Sequence, residues 1–324
     1  MKNRVQRKKV LLSASALIVA ALWSPAASSA QTTAESTGTT PITRETPATT
    51  DSTAATDVGL GAGPTSIASD ASGNVWVTLQ FSRKLLKLGG SGAVIGTYEV
   101  GQNPTGIAAG KSIWVANNAD NTVTKLGLDG VVLGTFRTGG EGPQGLLITG
   151  DYLWITNSKS STVTKMTEAG AIVGTYRVGR RPVAVAADSA GNIWVANNKD
   201  DTVTKLSAAG EPLGTYPVGR GPFGLVAVGA DVFVSCFFDG VVLKLSGKSG
   251  AALANVKVGD GAAGLASYGQ NYVVANNGSN SVTVFSADGT VISNIKVGRS
   301  PLYVAANAYG YWIANTGSDT VSKR

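Results

Sequence analysis

The chain of 324 residues contains no histidine and a single cysteine, Cys236. The lack of histidine removes the side chain best suited to proton transfer near neutral pH, and also the usual ligand of catalytic zinc. One cysteine cannot form an intramolecular disulfide, so packing must stabilise the fold in any redox compartment. Without a histidine or another base beside it, the thiol also lacks the activation that a catalytic nucleophile needs. The conventional catalytic constellations built on histidine are therefore excluded.

The sequence also lacks an apolar run long enough to cross a bilayer as a helix, which takes roughly 20 residues. Its longest run extends from Val10 to Trp23 and follows five basic residues with no acidic residue among them. The small residues Ser28 and Ala30 precede Gln31. This layout predicts a cleaved signal peptide over residues 1–30, and hence a secreted or periplasmic protein. An uncleaved anchor is the alternative.

The chain has little net charge once residues 1–30 are set aside. The whole chain has a formal net charge of +7, from 27 basic and 20 acidic residues. Without the five cations of residues 1–30, 22 basic residues face 20 acidic ones, which takes away the main support for a nucleic-acid partner. Residues 31–52 are rich in Thr, Ser and Pro and poor in large apolar side chains. They are predicted to form a disordered linker.

What the sequence does contain is a unit that recurs seven times. Its first marker recurs every 39 or 40 residues, at Pro64, Pro104, Pro143, Pro182, Pro222, Ala262 and Pro301. Its second marker stands at Trp76, Trp114, Trp154, Trp194, Phe233, Val273 and Trp312, and we expect these side chains to form the core between units. Each unit has four short β-prone runs separated by Gly, Asn, Asp and Ser. Four antiparallel strands in every repeat of about 40 residues predict the blade of a β-propeller.

The two ends of the repeat region predict how the ring closes. The seventh copy reaches Arg324 after three strands, and residues 53–58 match the fourth strand of the other copies. An N-terminal strand is therefore expected to complete the last blade, which removes two exposed sheet edges. The predicted fold is all-β: one seven-bladed β-propeller of four-stranded blades over residues 53–324, expected to be a monomer.

Residues 113–118 (IWVANN) and 121–126 (NTVTKL) carry a family resemblance. They resemble the YVTN and NHL repeat propellers and the neighbouring streptogramin (virginiamycin B) lyase-like superfamily, and the resemblance covers residues 58–324. It implies the propeller fold, but such repeats occur in adhesins, sensors, scaffolds and enzymes alike. The lyases are understood to use histidine with a divalent metal. This chain has no histidine, and it has asparagine where the lyase repeats often place an acid.

A related propeller family, the gluconolactonases, is understood to hold a divalent cation on the axis with carboxylate and amide oxygens. Calcium accepts such oxygens without histidine. Under this alternative, Ca²⁺ or Mg²⁺ would be bound by repeated asparagines: Asn117, Asn157, Asn197, Asn276 and Asn315. Asparagine also caps turns and tolerates left-handed backbone angles, so a purely structural role is the competing interpretation.

The loops after strand two and after strand four are predicted to share one face, where propellers usually bind. Charged candidates for ligand contact in these loops are Glu141, Arg180, Arg181, Arg220 and Arg299. The arginines give the face a cationic lean that would suit an anionic polymer or an acidic protein surface. Ordinary solubilising charge is the alternative.

Three blades depart from the repeat and supply the other candidates. Blade five has Cys236, Phe237 and Phe238 in place of the Asn-rich loop, and blade one has Phe81 and Arg83 there. Exposed aromatic side chains at these positions would form a contact patch, unless they tuck under a neighbouring loop. In blade seven, Tyr303 replaces a small residue of the innermost strand. It would either plug the axial channel or offer its hydroxyl to a ligand.

These patterns predict an exported, non-catalytic propeller without a cofactor. It would bind a protein or an anionic polymer of the cell envelope through its loops, and nucleic acid is not expected as a partner. A metal-dependent lyase or lactonase-type hydrolase is the alternative.

Overall fold

The computed structural model describes residues 56–324. The predicted signal peptide (residues 1–30) and linker (residues 31–52) lie outside the described residues, as do residues 53–55. The described chain forms 28 β-strands in seven four-stranded antiparallel sheets, so the seven-bladed β-propeller is confirmed. In the same residues, no helix is long and apolar enough to span a bilayer.

The strands follow the repeat closely. Blade one comprises β2 (Pro64–Ser69), β3 (Val75–Leu79), β4 (Lys84–Leu88) and β5 (Val94–Glu99). Blade two comprises β6 (Pro104–Ala109), β7 (Ile113–Asn117), β8 (Thr122–Leu126) and β9 (Val132–Arg137). Blade three comprises β10 (Pro143–Thr149), β11 (Tyr152–Asn157), β12 (Thr162–Thr167) and β13 (Ile172–Arg177). Blade four comprises β14 (Pro182–Ala187), β15 (Ile193–Asn197), β16 (Thr202–Leu206) and β17 (Pro212–Pro217).

The remaining three blades complete the ring. Blade five comprises β18 (Pro222–Val228), β19 (Asp231–Cys236), β20 (Val241–Leu245) and β21 (Ala252–Lys257). Blade six comprises β22 (Ala262–Tyr268), β23 (Asn271–Asn276), β24 (Ser281–Ser286) and β25 (Val291–Lys296). Blade seven comprises β26 (Pro301–Asn307), β27 (Gly310–Asn315), β28 (Thr320–Lys323) and, from the other end of the chain, β1 (Thr56–Gly59).

The first strand of every blade lies against the first strand of the next blade, and β26 also contacts β2, which closes the ring. Strand one therefore lies nearest the axis and strand four at the outer edge. Burial follows this order. In blade two, all five residues of β7 are buried, whereas β9 alternates between exposed and half-buried residues.

The N-terminal strand closes the ring as predicted. β1 pairs antiparallel with β28, from Thr56 opposite Lys323 to Gly59 opposite Thr320. Asp57 adds side-chain contacts, because its Oδ1 accepts a hydrogen bond from Ser322 Oγ at 2.6 Å. The Arg324 guanidinium reaches the same carboxylate at 3.4 Å. The two ends of the propeller are thus joined by a backbone ladder and by side chains.

The five tryptophans of strand two form the core between blades, as expected. Trp76, Trp114, Trp154, Trp194 and Trp312 are all at most 1% exposed. In the first four blades each ring packs against an aromatic side chain of strand four, with centroids 5.5–5.8 Å apart. Two of the indole nitrogens donate to turn aspartates at 3.0 Å: Trp76 to Asp70 and Trp194 to Asp188.

A lysine on strand three ties each of six blades to the next, and sequence analysis did not single it out. Lys205 Nζ lies 5.0 Å from the ring centroid of Trp194 and donates to the Gly247 carbonyl of blade five at 2.6 Å. The same paired contact is made by Lys87, Lys125, Lys165, Lys244 and Lys323. The lysine recurs at the repeat period in the sequence, but its carbonyl partner lies in another blade and becomes visible only in the fold.

Candidate functional site

The loops after strand two and after strand four lie together at one end of the ring, which we call the loop face. In blade two, the N–H groups of Asn118 and Ala119 donate to the carbonyls of Asn103 and Gln102 in the incoming loop. Corresponding backbone bonds hold the loop pairs of the other blades. The predicted shared face is therefore present, and its loops are fixed by hydrogen bonds.

The five repeated asparagines named as metal candidates end strand two beneath the loop face, where all five are fully buried. Asn197 illustrates their contacts. Its Oδ1 accepts the N–H of Gly179 at 3.0 Å, and its Nδ2 donates to the hydroxyls of Thr202 and Thr204 at 3.1 and 2.8 Å. The other four Nδ2 groups make the same pair of bonds to strand-three hydroxyls. Each carboxamide is engaged inside its own blade.

A cation shared by these asparagines would need their oxygens to converge. The Oδ1 atoms of Asn117 and Asn197 already accept a backbone N–H. Those of Asn157, Asn276 and Asn315 are buried without a donor, and their carboxamides pack against glycines of their own loops. No group of three or more Asp, Glu or Cys side chains in residues 56–324 is placed to hold a metal. Each carboxamide is thus held by its own blade and loop, and binding of Ca²⁺ or Mg²⁺ stays a prediction.

Four of the strand-two-to-three turns end in an Asn or Asp with a structural role. Asn121, Asp201, Asn280 and Asp319 adopt φ angles between 52° and 57°, which these residues tolerate better than others. The Asp201 carboxylate also accepts the N–H of Gly221 at 2.8 Å. In blade one the candidate Arg83 occupies this position with φ 55° and keeps an exposed side chain.

Two of the candidate arginines are held in ion pairs on the loop face. Arg220 Nε lies 2.7 Å from Asp239 Oδ1, and its backbone N–H donates to the other oxygen of that carboxylate. Arg180 makes the same two contacts with Asp200. Arg181 lies half-buried before Pro182 with φ 53°.

The predicted cationic lean of the loop face is balanced by acids. Glu141 and Arg299 are exposed, and their backbone N–H groups donate to the hydroxyls of Ser160 and Ser318. The basic residues of the face are Arg83, Lys159, Arg180, Arg181, Lys199, Arg220 and Arg299. The acidic ones are Asp120, Glu141, Asp200, Asp201, Asp239, Asp260 and Asp319. Equal numbers of both signs leave these loops without a net formal charge; the basic residues that end strand four, such as Lys257 and Lys296, are not part of this count.

Cys236 lies under the loop face of blade five rather than on it. Its side chain is fully buried in the core, where it replaces the asparagine of the other blades. Burial, together with the charges of Asp239 and Asp201, raises the pKa of the thiol to about 12, so it stays protonated at physiological pH. The thiol therefore reaches neither solvent nor a ligand bound on the surface.

The aromatic candidates of blade five belong to a row of four rings. Phe238 is 42% exposed on the loop face and meets Phe237 edge-on, with centroids 5.3 Å apart. Phe237 in turn lies 6.2 Å from Phe223, which lies 5.4 Å from Tyr303 of blade seven. The row passes over blade six, whose innermost strand offers only small residues there, Ala262, Ala263 and Gly264.

This row bears on the two interpretations of Tyr303. The ring is half-buried and stacks on Phe223, which is 1% exposed, and the surrounding protein raises the pKa of its hydroxyl. The contact favours a plug near the axis over a hydroxyl offered to ligand. Phe223 was missed by sequence analysis, although the other copies carry Thr, Gln, Val, Ala or Leu after the marker proline or its replacement. A large ring at that position is the signal that could have found it.

Phe81 is the counterpart of Phe238 in blade one and is 46% exposed. Both rings pack on a glycine that precedes the marker proline. A Cβ at Gly63 would come within 2.5 Å of the Phe81 ring, and one at Gly221 within 2.6 Å of the Phe238 ring. One face of each ring fills the space that a side chain on the glycine would occupy, and the other face is exposed to solvent. Each Phe ring is therefore held in place and still accessible.

No family model matches the chain, and no curated protein matches it in sequence. Solved structures do. A streptogramin B lyase superposes with a TM-score of 0.75 at 17% identity, covering 83% of this chain and 96% of the lyase. A catalytically inactive histidine-to-alanine variant of virginiamycin B lyase from Staphylococcus aureus, with quinupristin, gives 0.73 at 16% identity, covering 83% and 98%. Hydrazine synthase from Kuenenia stuttgartiensis gives 0.74 at 15% identity, covering 81% and 96%. At these identities the likeness establishes the lyase-like propeller fold and nothing further.

Proposed function

We propose that this protein is an exported, non-catalytic propeller that binds a partner in the cell envelope through the loop face of blade five. The observation that carries the proposal is the exposed Phe238 at the end of a packed row of aromatic rings. A ring held in place before binding loses little entropy on binding, and aromatic side chains dominate the energetics of interfaces. Blade five is also where the repeat departs furthest from its pattern.

The chemistry of the chain supports binding over catalysis. One structural neighbour is described as catalytically inactive after replacement of a histidine, and this chain has no histidine at all. The cysteine is buried and protonated, and five loop-face aspartates accept hydrogen bonds from backbone N–H groups: Asp120, Asp200, Asp201, Asp239 and Asp319. These contacts hold the loops in place and engage most of the loop-face carboxylates.

Replacing Phe238 by alanine is expected to weaken binding to isolated envelope material by at least about tenfold, because a central aromatic contact is lost. The measurement is co-sedimentation of purified protein (residues 31–324) with envelope fractions over a range of concentrations. Leu213→Ala is the matched control, since Leu213 is 49% exposed at the start of β17 and does not belong to the loop face. Equal binding by wild type and Phe238→Ala, or an equal loss in the control, would contradict the proposal.

Calcium, magnesium and EDTA are expected to leave the thermal unfolding midpoint unchanged. A cation that binds only the native state, at a concentration about 100 times its dissociation constant, would stabilise that state by about 2.7 kcal/mol. The thermal unfolding midpoint would then rise by several degrees. The Oδ1 atoms would be the ligands, and turning the buried carboxamides toward a shared cation would break the Nδ2 bonds to threonine and serine hydroxyls. A calcium-dependent rise that is abolished by Asn157→Ala would instead favour the metal-dependent lyase or lactonase alternative.

A further inference from the structure

A groove of about 290 Å³ opens between blades five and six. Blade five and its outgoing loop contribute Lys257, Val258 and Gly259, and blade six contributes Ser279, Ser281, Asn294 and Lys296. Both lysines end the outermost strand of their blade. The groove is thus lined by two ammonium groups, two hydroxyls and a carboxamide, which is a donor-rich set.

Hydrogen bonds fix both lysines at this groove. Lys257 Nζ donates to the Asp239 carbonyl at 3.2 Å, and Lys296 Nζ donates to the Ser279 carbonyl at 3.2 Å. An ammonium group has three N–H donors, so each lysine keeps further donors for a ligand. Neither lysine forms an ion pair within 4.0 Å in residues 56–324. Two cations lining one groove favour an anion between them.

The acids nearest the groove offset part of its charge, and one net positive charge remains when Lys257, Lys296 and Arg220 are counted against Asp239 and Asp260. The Asp239 carboxylate is bound by Arg220, and although partial burial raises its pKa, the Arg220 contacts and Lys257 hold that pKa below its usual value. Asp260 is exposed on the incoming loop, where its backbone N–H donates to Ser279 Oγ at 2.8 Å. In the junctions of blades one with two, three with four and four with five, an aspartate stands at the position of Ser279: Asp120, Asp200 and Asp239. Serine makes the same backbone contact without the negative charge.

The groove adjoins the binding surface through one loop. Phe238 directly precedes Asp239, whose carbonyl accepts the hydrogen bond from Lys257. One loop of blade five therefore carries an exposed aromatic ring, packed on Gly221 on its blade-four side, and meets the cationic groove on its blade-six side. A sugar ring has apolar faces for the first, and a phosphodiester, sulfate or carboxylate attached to it has oxygens for the second.

We propose that the Lys257–Lys296 groove binds the anionic group of an acidic glycan polymer while a neighbouring sugar ring packs on Phe238. This inference rests on the proposed function and names the chemistry of the partner. The groove is small, so it takes one oxyanion group at a time. Affinity for a polymer then comes from the combination of groove and ring.

The test uses purified protein (residues 31–324) and fluorescence anisotropy with labelled dextran sulfate at about 0.15 M salt, where surface charges are screened beyond roughly 8 Å. Neutral dextran and poly-glutamate serve as competitors. The double variant Lys257→Ala/Lys296→Ala is expected to bind at least about tenfold more weakly than wild type. Phe238→Ala is expected to weaken binding of dextran sulfate too, and neutral dextran is expected not to compete. Unchanged thermal unfolding midpoints establish that the variants are folded.

The matched control lies between blades two and three, where Arg137, Arg177 and Ser160 occupy the equivalent positions. Arg137→Ala/Arg177→Ala removes the same charge and is expected to change affinity less than about twofold. Equal losses of affinity in the two double variants would show that positive charge anywhere around the ring attracts the polymer. The proposal of a specific groove would then be wrong. If poly-glutamate binds more tightly than dextran sulfate, and its binding also depends on Lys257 and Lys296, the proposal that the ligand is a glycan is wrong. If dextran sulfate does not bind while envelope co-sedimentation persists, the groove proposal fails and the proposed function stands.

Discussion

A chain that begins at Leu60 is expected to lose at least about 3 kcal/mol of unfolding free energy relative to one that begins at Thr56. The truncation removes β1, so blade seven loses its outer strand and β28 becomes an exposed edge. Each backbone hydrogen bond of the ladder contributes about 1 kcal/mol, and the half-buried Val58 adds apolar contact. The thermal midpoint is then expected to fall by about 6–12 °C.

Calorimetry and urea titration of the two truncated chains check this expectation. The chain that begins at Thr56 is the matched control, since it lacks everything before β1 and keeps the closing strand. Asp57→Ala separates the ladder from the side-chain contacts, and it is expected to cost about 1–2 kcal/mol, because the fully buried Ser322 hydroxyl loses its acceptor. Equal midpoints for the chains that begin at Thr56 and Leu60 would mean that the ring does not depend on this closure.

Trp194→Ala is expected to cost about 3–5 kcal/mol, the usual penalty for removing a fully buried indole. The ring packs against Tyr216, lies under Lys205 and donates its N–H to Asp188. Removing it therefore leaves a cavity, a carboxylate without one of its donors, and a lysine without its aromatic surface. Denaturant unfolding monitored by circular dichroism gives the change, and a loss below about 1 kcal/mol would contradict this account.

The repeat supplies a control that isolates the indole hydrogen bond. Trp114 and Trp194 occupy the same position in blades two and four, but the Nε1 of Trp114 is buried without a partner. Phenylalanine keeps most of the ring volume at both positions. Trp194→Phe is therefore expected to cost about 1–3 kcal/mol more than Trp114→Phe, because only the first change deprives a buried carboxylate of a donor.

The candidate site could be predicted only in part. The departures at Phe81 and Phe238 were visible because each breaks a local pattern, and both rings are accessible in the fold. The balance of charge on the loop face was not visible, because Arg180 and Arg220 pair with aspartates about twenty residues away. Whether a charged side chain is neutralised depends on where another loop places its partner.

The sequence by itself determined the number of blades, their four strands and the closing strand. Those features depend on spacing within about 40 residues, and turn residues and β-prone runs act at that range. Only the tertiary structure decided which side chains meet between repeats. Phe223 reaches Tyr303 across blade six, and Lys257 faces Lys296 across a blade boundary. Such contacts have no period of their own, because they arise where the ring brings single departures from the repeat together.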